Sequence, residues 1–558
     1  MSSNFTLEWI ERYAGGDAEA ASWYPCTLQG VAGHASRRSE HAPAPLRTEE
    51  VEEWSAWLEA HAAPPAVLEN AARLGRSGTL TVVTGQQAGL FGGPMYTLYK
   101  AAGAILWARE LKEKLGTEVV PVFWVASDDH DFEEVATHAW LDGAGELRRW
   151  TGRDEAGLEG APVAERRLSP EQIDAFIADF RASVPPGEFV DELTSALEEL
   201  RAPNSLGWEA QFVRLLLRWL GGAGLVPVVP RLEWLRRRAA PIMQREIEHG
   251  TATSRALIDA GARLRDLGAE SGVLHRNGDE ANFFLRLDGV RLKVVWENER
   301  LAARHPSTGE TVRTFTREEL AGLLADSPGV FSPNAALRPL VQDAVLPNVA
   351  YIGGPAELIY HAQIGPLYEA FEVFRPAVLP RPRALLLETR IARLLEKVGI
   401  GLDECLAGGP DQLRRDAARR ADSSGLRERI QADIARAAEA IRQLEATITE
   451  ATGDTGLRSA AEKLHQGFEK GSSTLAQRTD AFLERRHGDI TAQADRIAAG
   501  IWPGGSPQER ATGALSPLLR TGGPESPMRL LDLLDHHATV LQVIDAARLR
   551  ESPNATDS

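Results

Sequence analysis

GTLTVVTGQQAGLFGGPMYTLYKAAGAILWARELKEKLGTEVVPVFWVASDDHDFEEV, residues 78–135, reads as strand, glycine-rich turn, amphipathic helix, strand and acidic turn. Thr79 to Val83 is β-branched and apolar, and Gly85 stops it. Val119 to Val125 is a near-continuous apolar run, the pattern of a parallel strand covered on both faces. Between them Tyr96, Tyr99, Ala102, Ile105, Leu106 and Leu111 recur at helical spacing, and Gly116 closes the helix. A strand–helix–strand crossover is right-handed, so both strands end on one edge of the sheet. The two turns, Thr84 to Pro94 and Ser127 to Glu134, are therefore expected to face one crevice.

A second copy of this syntax follows at 338–387. A short strand at Val349 to Ile352, a Gly353-Gly354-Pro355 turn, a helix to about Val373 and a strand at Ala377 to Leu379 repeat the order of the first. LFGGPMYTLYKA and YIGGPAELIYHA are the matching turns, and two such halves predict a doubly wound parallel sheet. We therefore divide the chain into N-terminal helices with the first half of a Rossmann-like core (1–134), an inserted α+β region (135–335), the second half of the core (336–400), an antiparallel coiled coil (401–500) and a C-terminal loop and helix (501–558). Within the insertion, helices are expected at about 170–184, 188–220 and 231–265, with a hairpin turning at Asp288-Gly289. Val51, Trp54, Trp57 and Leu58 form one stripe of a helix capped by Thr48. Ile430, Ile434, Ala437, Ile441, Leu444, Ile448 and Ala451 make a heptad seam, continued by Leu457, Ala461, Leu464, Phe468, Gly471 and Leu475 after a turn. LLDLLDHHATVLQVIDAA reads as a terminal helix, and ESPNATDS as a disordered tail.

With 558 residues the chain exceeds what one core can hold, and 43% hydrophobic with 25% charged residues describes a soluble globular protein. The N-terminus has the acids of FTLEWIERY where a signal peptide needs an apolar run, and no apolar stretch is long enough to span a membrane. We expect a cytoplasmic protein without a membrane partner. The net charge of −17 argues against a nucleic-acid partner. Cys26 and Cys405 cannot form a zinc cluster alone and read as inert thiols, and the pair His536-His537 reads as structural.

Three turns carry candidate chemistry. In the first, Thr84, Gly85, Gln86, Gln87, Gly92 and Gly93 lie before a helix N-terminus, where amides and partial positive charge suit a phosphate or carboxylate. It is neither a Walker loop nor a GxGxxG turn. In the second, Asp128, Asp129 and Asp131 could hold an ammonium group, sugar hydroxyls or Mg²⁺ with nucleotide phosphates, and His130 could move protons. A metal site from His130, Glu134 and His138 lacks the HExxH pattern, so no resident metal is assigned. In the third, Gly353, Gly354, Glu357 and Tyr360 would line the opposite wall, with His361 a packed or surface residue.

TGQQAGLFGGPMYTLYKA, PVFWVASDDHDFEEV, LRPLVQDAVLPNVAYIGGPAELIYHAQ and PGGSPQER together resemble the cysteine-adding enzyme family of bacillithiol biosynthesis, over nearly the whole chain and in order. That resemblance implies a Rossmann-like core related to class I aminoacyl-tRNA synthetases, inserted connective segments, a C-terminal coiled coil and a homodimer through it. It also implies a ligase that joins L-cysteine to the amine of glucosaminyl-malate, with ATP activating the carboxyl group as acyl-phosphate or acyl-adenylate, and Mg²⁺ as a companion ion. His130 is then the candidate general base, with Asp128 and Asp129 beside it, and Gly504, Gly505 and Arg510 are candidate nucleotide contacts. The chain departs from the synthetase pattern: Phe91-Gly92-Gly93-Pro94 stands where a His-x-Gly-His turn is expected. The lysine-rich signature loop is missing too, with Arg381, Arg383 and Arg390 near its place. Two other readings fit the same residues: a transferase using a pre-activated cysteinyl donor, and a small-molecule-binding coiled-coil scaffold without turnover.

Overall fold

The computed structural model describes residues 2–154, 158, 160–201, 206–270 and 277–550; the ESPNATDS tail lies outside the described residues. The chain forms two compact units, one of residues 1–143, 148–386 and 509–558, the other of residues 144–147 and 387–508.

The first unit is built on five strands. These are β1 (Leu80–Gln86), β2 (Val119–Val125), β3 (Val226–Val228), β4 (Asn348–Gly353) and β5 (Ala377–Pro380), paired in the order β5-β4-β1-β2-β3. Every pairing is parallel. Three helices frame the strand ends: α1 (Tyr96–Leu115), α2 (Arg338–Val345) and α3 (Pro355–Gln363). The chain crosses from β1 to β2 through α1, which ends at Gly116 in a left-handed conformation only glycine adopts freely. β1 and β2 are buried along nearly their whole length, as the apolar runs require. The strand order reverses between β1 and β4, and a crevice opens beyond the strand ends at such a point.

The region expected as an insertion contributes to this sheet. Val226, Pro227 and Val228 pair with Val122, Phe123 and Trp124, so β3 is the outer strand of the Rossmann-like core. Pro227 has no N–H to donate, which an outer strand, paired on one side only, accommodates. The remainder of the region holds a separate antiparallel sheet, with strands Thr311–Phe315, Arg300–Arg304, Val290–Glu297, Glu280–Leu287 and Phe331–Pro333 in spatial order. Its hairpin turns at Asp288-Gly289, both at positive φ, as anticipated. The helices expected over 188–220 and 231–265 are each broken in two, into Glu188–Glu198 and Trp208–Leu220, and into Glu233–His249 and Ala252–Asp266. Gly207 and Gly250 stand at the breaks. Thr48 is the first helical residue of its helix rather than its cap; the Glu50 carboxylate accepts the Arg47 amide there.

The C-terminal segment also differs from expectation. Its helix stops at Leu533; His536 and His537 stand in a loop, and Gln542–Asp545 is a strand. The β-branched run Val540, Val543, Ile544 favours extension over a helix. In the second unit, Leu426–Ala451 and Thr455–Arg486 pack side by side around a three-residue turn as an antiparallel hairpin. Ile434, Ile441 and Ile448 are half-buried along its seam, whereas Leu444, Leu457, Leu464 and Leu475 are exposed. Among the described residues no helix is long and apolar enough to cross a membrane.

Candidate active site at the switch point of the sheet

The C-terminal ends of β1 and β4 diverge around a cavity of about 310 Å³. Gly85, Gln86 and Gln87 form one wall, and Gly354, Glu357 and Tyr360 the other. Gly85 must be glycine, because a Cβ there would lie 2.8 Å from the Trp124 carbonyl oxygen. Between the walls Lys100 rises from α1, fully buried. Its ammonium is 2.6 Å from Glu357 Oε2, donates to Gln86 Oε1 at 3.2 Å, and donates to the Gly85 carbonyl. Glu357 in turn accepts the Gly354 amide at 2.8 Å and the Tyr351 hydroxyl at 2.7 Å. Burial pushes the Lys100 ammonium down, with Glu357 opposing it; burial pushes the Glu357 carboxyl up, and Lys100, the Gly354 amide and the Tyr351 hydroxyl together more than reverse this.

The acidic turn borders the same cavity. Gln87 Nε2 donates to Asp129 Oδ2 at 3.0 Å, so the glutamine turn and the aspartate turn are direct neighbours. Asp129 also accepts the His130 amide at 2.8 Å and lies 3.6 Å from Arg291. Arg291 itself stacks on Phe284, 3.8 Å from the ring centroid, and donates to Ser332 Oγ at 3.2 Å. Burial raises the Asp129 carboxyl, but Arg291, Gln87 and the His130 amide bring it below the ordinary range. A second cavity of about 210 Å³, lined by Asp128, His130 and Phe284, shares Trp124, Ala126, Asp129, Ala335 and Arg338 with the first.

His130 is placed differently from a general base. Its Nδ1 lies 3.2 Å from Arg291 Nη1, and a guanidinium can only donate, so Nδ1 accepts and Nε2 carries the proton. Burial and Arg291 both hold its pKa below the usual value. The ring is a neutral hydrogen-bond donor in this arrangement. Glu134 also lines the larger of these two cavities; burial pushes its carboxyl up, with a hydrogen bond from Gln87 opposing it.

Two cations face the larger cavity without a carboxylate partner among the described residues: Arg338, beside the Tyr360 phenol, and Arg510, over the Tyr96 ring. Together they favour an anionic ligand. Three carboxylates are already committed to cations. Asp128 is 2.6 Å from Arg236, Asp129 serves Gln87 and Arg291, and Glu357 serves Lys100. This donor set does not fit a resident Mg²⁺, which needs open oxygen ligands in octahedral array.

Several predicted residues lie elsewhere. Thr84 is buried and donates to the Ile352 carbonyl at 2.8 Å. Gly92 is pressed under the Trp219 ring, Gly93 donates its amide to Leu90 O at 3.0 Å, and the Met95 amide at the head of α1 donates to Thr512 O at 2.8 Å. The expected phosphate cradle is thus filled by protein. Gly353 is buried in the wall behind, and Asp131 is exposed, capping the helix Phe132–Val135. Gly504 and Gly505 form an exposed turn of the second unit. His138 is buried with Nδ1 on the Leu90 carbonyl, so the His130, Glu134, His138 spacing gathers no metal site. His361 is packed, stacked on Tyr360 and tilted against Tyr351. Arg381, near the place of the missing lysine loop, is neutralised by Glu509 at 2.7 and 2.8 Å. Lys100, Arg291 and Arg338 were not legible as site residues; only Arg338, at the head of the second repeated motif, stood next to a signal.

Comparison with known proteins agrees with this architecture. Residues 4–382 match the family described as bacillithiol biosynthesis BshC, N-terminal Rossmann-like domain, and residues 384–546 match its C-terminal coiled-coil domain. A protein of Symbiobacterium thermophilum named "Putative cysteine ligase BshC" is 32% identical over 484 residues, 84% of each chain. One of the same name from Koribacter versatilis is 33% identical over 474 residues, 85% of this chain and 84% of that one. Two family matches that together run through the core and the helical hairpin leave one conclusion: this chain is a member of the BshC family of bacillithiol biosynthesis.

Proposed function

We propose that this chain is a carbon–nitrogen ligase that joins the carboxyl group of L-cysteine to the amine of glucosaminyl-malate, in the last step of bacillithiol biosynthesis, with ATP as co-substrate. The observation that carries this reading is the convergence, in one cavity at the switch point, of two guanidinium groups without a carboxylate partner among the described residues and the Glu134 carboxyl, which Gln87 hydrogen-bonds and burial pushes up. The name its relatives carry, cysteine ligase, supports the same reading. A carboxylate is a poor electrophile, and ATP supplies the leaving group that makes its carbon reactive. In this reading Arg338 and Arg510 receive the anionic oxygens, and Gln86 and Gln87 orient the substrate. The attacking amine must first lose a proton, and Glu134, held above the ordinary carboxyl range, is suited to take it. His130 Nε2–H donates a hydrogen bond rather than accepting a proton. Any Mg²⁺ would arrive with the nucleotide phosphates. Kinship of the core with class I aminoacyl-tRNA synthetases, association of two copies through the exposed leucines of the hairpin, and a cytoplasmic setting belong to the same proposal.

The test is incubation of the purified full chain with L-cysteine, glucosaminyl-malate and ATP, following the amide product by mass spectrometry and ATP by its loss. ATP loss that depends on both other substrates is expected. Product formed only from a pre-activated cysteinyl donor would replace the ligase by a transferase, and ligand binding with no turnover from either donor would leave a scaffold.

A further inference from the structure

Away from the switch point, three ligating side chains converge from segments far apart in sequence. Glu110 projects from α1, and His536 and His537 stand in the loop between the helix Ser526–Leu533 and the strand Gln542–Asp545. His536 Nε2 is 2.7 Å and His537 Nε2 is 2.6 Å from the same atom, Glu110 Oε2. The other oxygen, Oε1, is 2.6 Å from the Lys114 ammonium, which fixes the plane of the carboxylate and leaves Oε2 to the histidines. Both rings stand edge-on to Trp107, at 5.0 and 4.7 Å between centroids, so their orientation is set from behind as well.

We infer that Glu110, His536 and His537 form a binding site for a divalent transition metal of the zinc class, open at its remaining coordination position. Two imidazole nitrogens and one carboxylate oxygen, all within 4.8 Å of one another, are the three-ligand set of an open zinc site. Metal–ligand bonds of about 2.0–2.2 Å in tetrahedral array place neighbouring ligand atoms about 3.3 Å apart. The rings, His537 exposed and His536 half-buried in the same loop, therefore need to withdraw from the oxygen by only about 0.6 Å. The three residues border a cavity of about 380 Å³, which provides entry and room for a water on the fourth position. The Lys114 contact and the Trp107 edge act as the outer support that ligating groups require.

The test uses tag-free full-length protein, stripped with a chelator and titrated with Zn²⁺ against a chromophoric competitor, then with Co²⁺ to read visible ligand-field bands. One equivalent of Zn²⁺ and a Co²⁺ spectrum of low coordination number are expected, both weakened at least tenfold in His537→Ala. His537 is largely exposed, so this variant folds; Glu110→Gln provides the second arm, with the same loss. Absence of binding in the wild type, or equal binding in wild type and both variants, would overturn the site and leave two imidazoles hydrogen-bonded to a carboxylate.

Discussion

Lys100 Nζ and Glu357 Oε2 lie 2.6 Å apart and join the two halves of the Rossmann-like core, the one at the start of α1 and the other in the first turn of α3. Removing one partner of a buried pair leaves the other charge without compensation. Glu357→Gln keeps the shape and a carbonyl for the Gly354 amide but strands the ammonium, a change expected to destabilise by about 3 kcal/mol. Lys100→Met combined with Glu357→Gln removes both charges and should recover most of that loss. Urea midpoints of the single and double variants measure it; a double variant no more stable than Glu357→Gln refutes the pairing as the cause.

Arg381 and Glu509 make a two-pronged pair, both nearly inaccessible, that fastens the segment after residue 508 to the end of β5. Glu509→Ala should lower stability by about 3–5 kcal/mol, since a buried guanidinium is left unpaired. The same segment supplies Thr512 O to the head of α1 and Arg510 to the cavity. Activity should therefore fall more steeply in Glu509→Ala than in Arg510→Ala at temperatures near the unfolding midpoint, and thermal melts alongside rate measurements decide it.

The sheet was legible because period-two and period-3.6 patterns report burial directly, and the adjacency of Gln87 and Asp129 followed from the handedness of one crossover. What stayed hidden depends on contacts remote in sequence. Lys100 reads locally as one more solvated helix cation, since nothing near it announces Glu357. The first Gly-Gly-Pro turn looked like an anion cradle because glycine amides are free in the sequence; Trp219 and Thr512 occupy that space in the fold. The second, with Gly354, does face the cavity. β3 escaped because three residues around a proline carry too little pattern to be read as a strand.

Glu134 and His130 make opposite predictions. If Glu134 takes the amine proton, the rate rises with pH through its pKa, and burial places that rise above the ordinary carboxyl range. Glu134→Gln should lower kcat by about 10²–10³-fold and abolish the acidic limb of the pH profile. Arg291→Met, by contrast, should raise the His130 pKa, because a cation that disfavours the imidazolium has gone. Histidine titration by NMR measures this, and an unchanged His130 pKa would break the link drawn between the two side chains.

Asp343 gives a pH dependence whose sign is unusual for an acid. It is buried in α2, accepts the Tyr368 hydroxyl at 2.5 Å and the Asn348 amide at 2.7 Å, and burial pushes its pKa up to about 6. The folded chain therefore binds this proton more tightly than the unfolded chain, whose value is 3.8. The resulting stability is fully present below about pH 4 and lost as the pH rises through about 6. Above that the ionised carboxylate costs about 3 kcal/mol relative to the protonated form, from roughly two pH units at 1.36 kcal/mol each. Asp343→Asn, which keeps an acceptor for one of the two donors and cannot ionise, should be more stable than wild type at pH 7 and lose that advantage by pH 4. Unfolding midpoints of the two proteins across that range measure the difference, and parallel curves would show that Asp343 does not titrate there.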